Sequence, residues 1–385
     1  MDETVWRALG APLVAGSGGG VLRGHTVAVK DLYAVAGFAV EAGVPGYAGA
    51  PETEHAAAVA ALLAAGADLT GIARTDEFAY SITGGNGATG MPVNPAAPDR
   101  IPGGSTSGPA VAVASGQVSV GLGTDTAGSI RVPAAYQGLW GIRTTHGRID
   151  TRGLLALAQS FDSVGWLTRD PETLAAVGDV LLPEDVTSGP ARVSIAPGLC
   201  ALADPDQAAP ALAAAAALDA ERLDLDADLD SWFAAFRTVQ AHEAWGNHGP
   251  WITAHPDALS AEVAQRFAYA ATVTTAAATI ARALLATAAT TLRSALRGRI
   301  LLLPTVARAP SHRRAAPAVL EADRAHTLRL TCLAALAGLP AVTLPAHRAG
   351  HPPAGLCLLG APGTDRSLIR QARSSAAAVT DALAQ

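Results

Sequence analysis

Val118-Ser119-Val120-Gly121-Leu122-Gly123-Thr124-Asp125-Thr126-Ala127-Gly128-Ser129-Ile130-Arg131 reads as an apolar strand that breaks into a turn of small residues. The run Val118–Thr124 predicts a buried strand, and the small residues after it predict a strand-to-helix turn. Consecutive backbone N–H groups at Thr126, Ala127, Gly128 and Ser129 then lie beside one hydroxyl. Acyl transfer needs that combination: a nucleophile, and donors for the negative charge that develops on the attacked carbonyl oxygen. Ser129 is therefore the candidate nucleophile, and the four amides are the candidate oxyanion hole. Asp125 and Arg131 flank the turn and are read as groups that orient it by hydrogen bonding, not as reacting groups.

Two earlier segments supply what a serine lacks by itself. In Val27-Ala28-Val29-Lys30-Asp31 a lysine ends an apolar strand, where burial disfavours its ammonium form. Lowering a lysine from about 10.4 to about 8 corresponds to roughly 3 kcal/mol of environment acting against the charge, and the neutral amine is a base. In Gly103-Gly104-Ser105-Thr106-Ser107-Gly108 the glycines permit unusual backbone angles, which lets the Ser105 hydroxyl relay a proton between Ser129 and Lys30. Taken singly, a strand-ending lysine is a snorkelling surface residue and a Gly/Ser loop is a turn. Their combination points to a Ser-Ser-Lys triad.

Rival chemistries lack their motifs. None of the ten histidines forms H-E-x-x-H, and His242-Glu243 with His248 has the wrong helical spacing for two ligands on one face, so these are read as surface or cap residues. No G-x-S-x-G elbow is present. Cys200, Cys332 and Cys357 are far apart and odd in number, which argues against a disulfide framework or a zinc site and fits a reducing cytoplasm. No metal and no cofactor are expected. Gly16–Gly20 lacks the Lys-Ser/Thr pair of a phosphate loop and is read as part of a flexible N-terminal arm over residues 1–24.

Further strands are expected at His25–Lys30, Asp68–Ala73, Leu139–Arg143, Val193–Ala196, Ile300–Leu303, Ala341–Leu344 and Leu356–Leu359. Longer Ala-rich stretches alternate with them, which predicts an α/β fold with helices covering the sheet. Thr53 is placed as the N-cap of a helix that Gly66 ends. The segment from Thr83 to Gly108 carries seven glycines and four prolines and reads as a long functional loop. Residues 201–299 are Ala-rich and helical and are expected to shape the substrate pocket. The absence of a linker or repeat favours one domain over residues 1–385.

Composition narrows the partners. Half the residues are apolar, 16% are charged and the mean hydropathy is +0.27, the profile of a packed globular chain. With net charge −6 and no basic run among the 27 Lys and Arg, nucleic acid is not an expected partner. Met1-Asp2-Glu3 is acidic with no apolar region behind it, so no signal peptide is expected. Ala270–Thr290 is mostly Ala and Thr with Arg282 inside, and is read as a packed helix, with no membrane partner.

Together these segments resemble the amidase signature family. The signature is the Gly-Gly-Ser loop followed by Gly-Thr-Asp-Thr-x-Gly-Ser-x-Arg, with Ser105 75 residues after Lys30 and Ser129 24 residues after Ser105. Asp76-Glu-Phe-Ala, Asn94-Pro, Phe161-Asp-Ser-Val-Gly165, Leu303-Pro-Thr305, Gly338-Leu-Pro340 and Gly355-Leu-Cys-Leu-Leu-Gly360 extend the resemblance over most of the chain. It implies a mixed central sheet with helices on both faces, Ser129 as the acylated nucleophile, Ser105 as the bridging serine held by a cis peptide, and Lys30 as base. Ala127 stands where many members have glycine, and Thr106-Ser107 where Ser-Gly is common. The early lysine implies that the N-terminal helical arm of many members is mostly missing, which leaves the oligomeric state open. Asp76–Gly84, Ala97–Pro102 and Ala158–Asp162 resemble the compact indole-3-acetamide hydrolase branch, which implies a small carboxamide of aryl-acetamide type as substrate. Thr-Ala-Gly-Ser is shared with allophanate and biuret hydrolases, so a ureido substrate is the alternative, and a non-catalytic binding module is the second.

Overall fold

The structure is a computed structural model and describes residues 1–186, 191–225 and 227–384. All eight expected strands form, with ends displaced by at most two residues. Among the described residues eleven strands make one sheet: β1 (Trp6–Val14), β2 (Thr26–Lys30), β3 (Asp68–Ala73), β4 (Val120–Asp125), β5 (Trp140–Arg143), β6 (Ser163–Thr168), β7 (Arg192–Ile195), β8 (Glu221–Arg222), β9 (Arg299–Pro304), β10 (Ala341–Pro345) and β11 (Gly355–Leu359). Their spatial order is β1-β3-β2-β4-β6-β5-β10-β11-β9-β7-β8. β2 is parallel to β3 and β4, β7 is parallel to β8 and β9, and the remaining pairs are antiparallel, so the sheet is mixed.

Strand alternation divides the side chains between two faces. Val27 and Val29 of β2 join Val120 and Leu122 of β4 in one core, whereas Ala28 enters the opposite one. The first core is covered by α1 (Ala57–Ala64), α4 (Pro171–Leu181), α6 (Pro205–Ala217) and α11 (Asp365–Leu383). Against the second face lie α2 (Ser107–Ala114), α3 (Arg131–Gln137) and α10 (Pro317–Leu336), with α7 (Leu229–Ala254), α8 (Ala261–Thr272) and α9 (Thr275–Ala295) as a further helical layer. The short α5 (Pro197–Cys200) leads into α6. Large side chains such as Trp6, Trp166, Phe236 and Phe267 are almost wholly buried, each contributing on the order of 1.5–3 kcal/mol of transfer free energy or more.

Several expectations are corrected. The N-terminal arm is not free: β1 pairs antiparallel with β3 as an edge strand, and after it Gly16 N–H donates to Asp68 Oδ1 at 2.8 Å and Ser17 N–H to Leu63 O at 2.9 Å. Ala56, not Thr53, is the N-cap of α1: its own backbone is non-helical, with φ −55° and ψ 147°, and its N–H donates to Ala34 O at 2.8 Å. Gly66 does end that helix with φ +96°. The expected helical region 201–299 splits, since α6 packs on the sheet, β8 extends it, and only α7–α9 form the separate layer. Ala270–Thr290 is likewise two helices, with Thr274 Oγ1 capping Ala277 N–H at 3.2 Å. Thr275–Ala295 is long and apolar enough by length and composition to cross a membrane, and 33% of its most apolar window is buried. His248 is a core residue, 1% exposed, with its ring stacked on Phe78 at 4.4 Å and Nε2 2.9 Å from Ala156 O.

Candidate active site

Lys30 lies two residues beyond Ala28 and shares its face at the end of β2. Ser129 follows β4, and Ser105 precedes α2. What lets these three meet is a missing side chain: a Cβ on Gly123 would lie 2.3 Å from Thr106 Cγ2, so only glycine lets the start of α2 rest on β4. Lys30 Nζ is then 2.8 Å from Ser105 Oγ, and Ser105 Oγ is 3.0 Å from Ser129 Oγ. The Gly104–Ser105 peptide is cis, as the resemblance implied. All three side chains are buried, with exposures of 0, 0 and 2%.

Lys30 has two further partners that sequence reasoning missed. Nζ lies 2.8 Å from Thr124 Oγ1 and 3.2 Å from Thr106 Oγ1. The Thr106 hydroxyl proton goes to Thr124 O at 3.3 Å, so Thr106 accepts from the amine. A neutral amine has two N–H donors and one lone pair. With the donors on the two threonines, the lone pair is left for Ser105. Burial pushes Lys30 down from 10.5 to about 7, against the opposing charges of Asp76, Asp162 and Asp125. The direction is the one expected from sequence, and the amine is wholly enclosed and not merely at a strand end.

Those carboxylates are built into the floor of the site. Burial raises Asp76, whose oxygens accept from Gly84 N–H at 3.0 Å and Ser107 Oγ at 3.2 Å. Burial also raises Asp162 to about 6, although it accepts from Thr126 Oγ1 at 2.6 Å and from the amides of Leu157 and Ala158. Asp125 goes the other way. Burial opposes its ionisation, but Arg131 at 2.9 Å and Arg143 at 3.4 Å hold the carboxyl below its ordinary range. Asp125 also accepts from the Gly128 and Ile130 amides of the turn, and Arg143 joins the pair by donating to the Asp125 carbonyl and, at 2.8 Å, to Phe161 O. Asp76 and Asp162 stood in the quoted motifs, yet nothing in their spacing tied them to Lys30.

One member of the expected oxyanion hole is otherwise engaged. Gly128 N–H donates to Asp125 Oδ1 at 2.8 Å, and the carbonyl on the same peptide, that of Ala127, accepts from Thr331 Oγ1. Among the described residues the amides of Thr126, Ala127 and Ser129 donate to no protein group. Ala127 avoids the left-handed region, and Gly128 takes φ +130° in its place. A Cβ there would lie 3.1 Å from Thr331 and from Val132, besides adopting a backbone that side chains disfavour. Gly128→Ala should cost about 1–3 kcal/mol and lower the rate by reorienting the Ser129 turn. The check is the urea midpoint together with kcat; a variant with both unchanged would overturn this account.

The cavity beside Ser129 is narrow, about 10 Å³, the room of roughly one water molecule. Its wall includes Ala79, Tyr80, Ile82 and Ala127, with Gln240 of α7 and Arg324 and Leu328 of α10. Ala79 and its neighbour Phe78 both have positive φ, 57° and 48°, an uncommon backbone for non-glycine residues. Packing holds it there: Phe78 contacts Tyr47, His248, Trp251 and Phe267. The much larger groove of about 1230 Å³ between Arg100, Arg308, His312 and Arg313 shares no lining residue with the serines or the lysine. Among the described residues no group of three or more His, Cys, Asp or Glu side chains is placed to hold a metal ion.

A profile of the amidase family matches residues 8–197. Amidase 1 of Arabidopsis thaliana is 34% identical over 396 residues, covering 92% of this chain and 93% of that protein. The chain belongs to the amidase family. Amidase 1 of Oryza sativa subsp. japonica is 48% identical to this amidase over 178 residues, 45% of this chain, and the match spans 41% of the rice protein. A solved crystal structure of an amidase superposes with a TM-score of 0.83 at 30% identity, covering 93% of this chain and 85% of the other. The α/β fold with a mixed sheet is shared with it, and the enzyme class is an amidohydrolase acting on C–N amide bonds.

Proposed function

We propose that this amidase hydrolyses a small carboxamide through an acyl-enzyme on Ser129, with Ser105 as proton relay and Lys30 as base. The observation that carries the reading is the buried contact chain Lys30 Nζ–Ser105 Oγ–Ser129 Oγ, at 2.8 and 3.0 Å. With Lys30 neutral, the Ser129 proton passes to Ser105 while the Ser105 proton passes to Nζ. Ser129 Oγ then bonds to the amide carbon, and the carbonyl electron pair moves to oxygen, held by the amides of Thr126, Ala127 and Ser129. Collapse of that intermediate breaks the C–N bond, and the proton returns from Lys30 through the serine relay to the leaving ammonia or amine. Water repeats the sequence to release the carboxylic acid. The apolar wall of Ala79, Ile82, Ala127 and Leu328 suits the acyl part of such a substrate, including an aryl-acetamide type, and the intact triad favours catalysis over a binding-only role. Mass spectrometry of protein incubated with a panel of primary amides tests the proposal. An acyl adduct on Ser129 is expected; turnover with no adduct on Ser129 under acid-quenched single-turnover conditions would refute it.

The pH profile follows from the sign of the Lys30 shift. Below about 7 the buried amine is an ammonium and cannot accept the Ser105 proton; above it the base is free. For an uncharged amide, kcat/KM should rise about tenfold per pH unit below that value and level off above it. A histidine base would give a limb near about 6.5, too close to be told apart by position alone, so the deciding measurement is the same profile in Lys30→Met. A Lys30→Met enzyme that keeps the limb and the rate would remove Lys30 from the mechanism.

A further inference from the structure

Besides Tyr80, Ser81 and Thr126, the wall of the Ser129 cavity contains two polar side chains, Gln240 and Arg324, that the acyl-transfer chemistry does not use. Arg324 is 9% exposed, and among the described residues only one of its five N–H donors has a partner, Nη1 on Glu321 Oε1 at 2.9 Å. Its Nε is buried with no acceptor. Gln240, 5% exposed, makes no hydrogen bond through its amide to any described residue. A guanidinium taken out of water and left under-bonded is costly, and a cavity that keeps one is suited to an arriving acceptor.

The surroundings give the sign of that acceptor. Glu321 is 49% exposed and is divided between Arg324 and Arg266, which it meets at 3.0 Å. Arg266 in turn donates to Tyr80 O at 3.0 Å, and Arg237, stacked on Phe233 and Tyr269, adds a third positive charge that acts on Tyr80 with the other two. Three arginines thus lie near Tyr80, and two of them share the Glu321 carboxylate. The planar guanidinium fork matches a carboxylate in two-point contact, and a carboxamide N–H can add a third bond. Gln240 and Arg324 line the same cavity as Ser129, so a ligand seated at Ser129 lies beside both.

We propose that the substrate is a short amide bearing a carboxylate, and that Arg324, assisted by Gln240, binds that carboxylate while Ser129 faces the amide. The assignment deepens the acyl-enzyme reading and rests on it for the position of the scissile bond. Two paired probes test it: succinamate against 4-oxopentanamide, and glutaramate against 5-oxohexanamide, in which a methyl ketone replaces the carboxylate. The wild-type enzyme should favour the charged member of at least one pair by roughly 10- to 150-fold in kcat/KM, the range of one or two hydrogen bonds to a charged group. Arg324→Met should collapse that ratio mainly through KM, and Arg324→Lys should restore part of it.

Calorimetric titration of succinate and glutarate into Ser129→Ala gives a second reading that needs no turnover. Binding should be measurable there and lost in Ser129→Ala/Arg324→Met. Gln240→Leu carries the same comparison should the arginine variant not fold. A wild-type preference for the methyl ketones, or dicarboxylate binding that survives both wall variants, would overturn the proposal. An active Ser129→Ala enzyme would instead strike the acyl-enzyme reading and leave the titration standing.

Discussion

Ser129→Ala is expected to reduce turnover by about 10⁴- to 10⁶-fold while leaving the protein folded. The substitution removes one hydroxyl whose protein partner is Ser105, a hydrogen bond worth about 1 kcal/mol to stability, so a loss of that size in rate cannot come from unfolding. Ser105→Ala breaks the contact between base and nucleophile, since the described partners of Lys30 Nζ are Ser105, Thr106 and Thr124 but not Ser129 itself. Lys30→Met removes the proposed base. Because the three act as one unit, Ser129→Ala/Lys30→Met should be little slower than either single variant. Rates are checked against circular dichroism and melting temperature for each protein. Substantial turnover by folded Ser129→Ala, or rate losses that multiply in the double variant, would contradict a shared proton path.

Asp125→Ala should have the largest effect on stability. Arg131 and Arg143 are 2% and 0% exposed, and Asp125 is the carboxylate that both of them meet. Removing it leaves two guanidinium groups buried without that counter-charge, at a cost of about 3–5 kcal/mol for a broken buried pair. Against a typical total of about 5–15 kcal/mol, the variant should unfold at far lower urea and lose activity with it. Asp125→Leu/Arg131→Met should recover part of the loss, since it removes a charge along with its partner. The pH dependence has a definite sign. A carboxyl held below its ordinary value of 3.8 contributes fully above that value and loses its contribution as pH falls through the lowered one. An Asp125→Ala protein with an unchanged urea midpoint would show that the arginines find other partners.

What could be read from the sequence depended on whether an element announced itself locally. Apolar runs between glycine and proline located eight strands, and the three segments around Lys30, Ser105 and Ser129 do converge. β1 was hidden because Gly10 and Pro12 interrupt it and its register with β3 shifts, as an edge strand tolerates. β6 offers no continuous apolar run, since Ser163, Gly165 and Thr168 interrupt it, and β8 is too short to show any period. The four small residues at 126–129 could be counted as amides, but only the fold shows that Gly128 turns its N–H to Asp125. The threonines around Lys30 belong to other segments and carry no local sign of contact. Arg324 looked like any charged residue of a helix until α10 placed it against Tyr80 and Gln240.

On the proposed mechanism the three reacting groups hang from the sheet and its immediate turns, whereas the proposed selecting side chains, Gln240 and Arg324, are carried by α7 and α10. Chemistry and choice of substrate therefore have separate carriers. The bond-breaking apparatus can stay fixed while the selecting wall is exchanged, in the way that one engine drives different tools. Exchanging α7 and α10 for those of another member of the family would then change what the enzyme accepts before it changed how the bond is cut, and variation in these two helices becomes the place where new substrates are acquired.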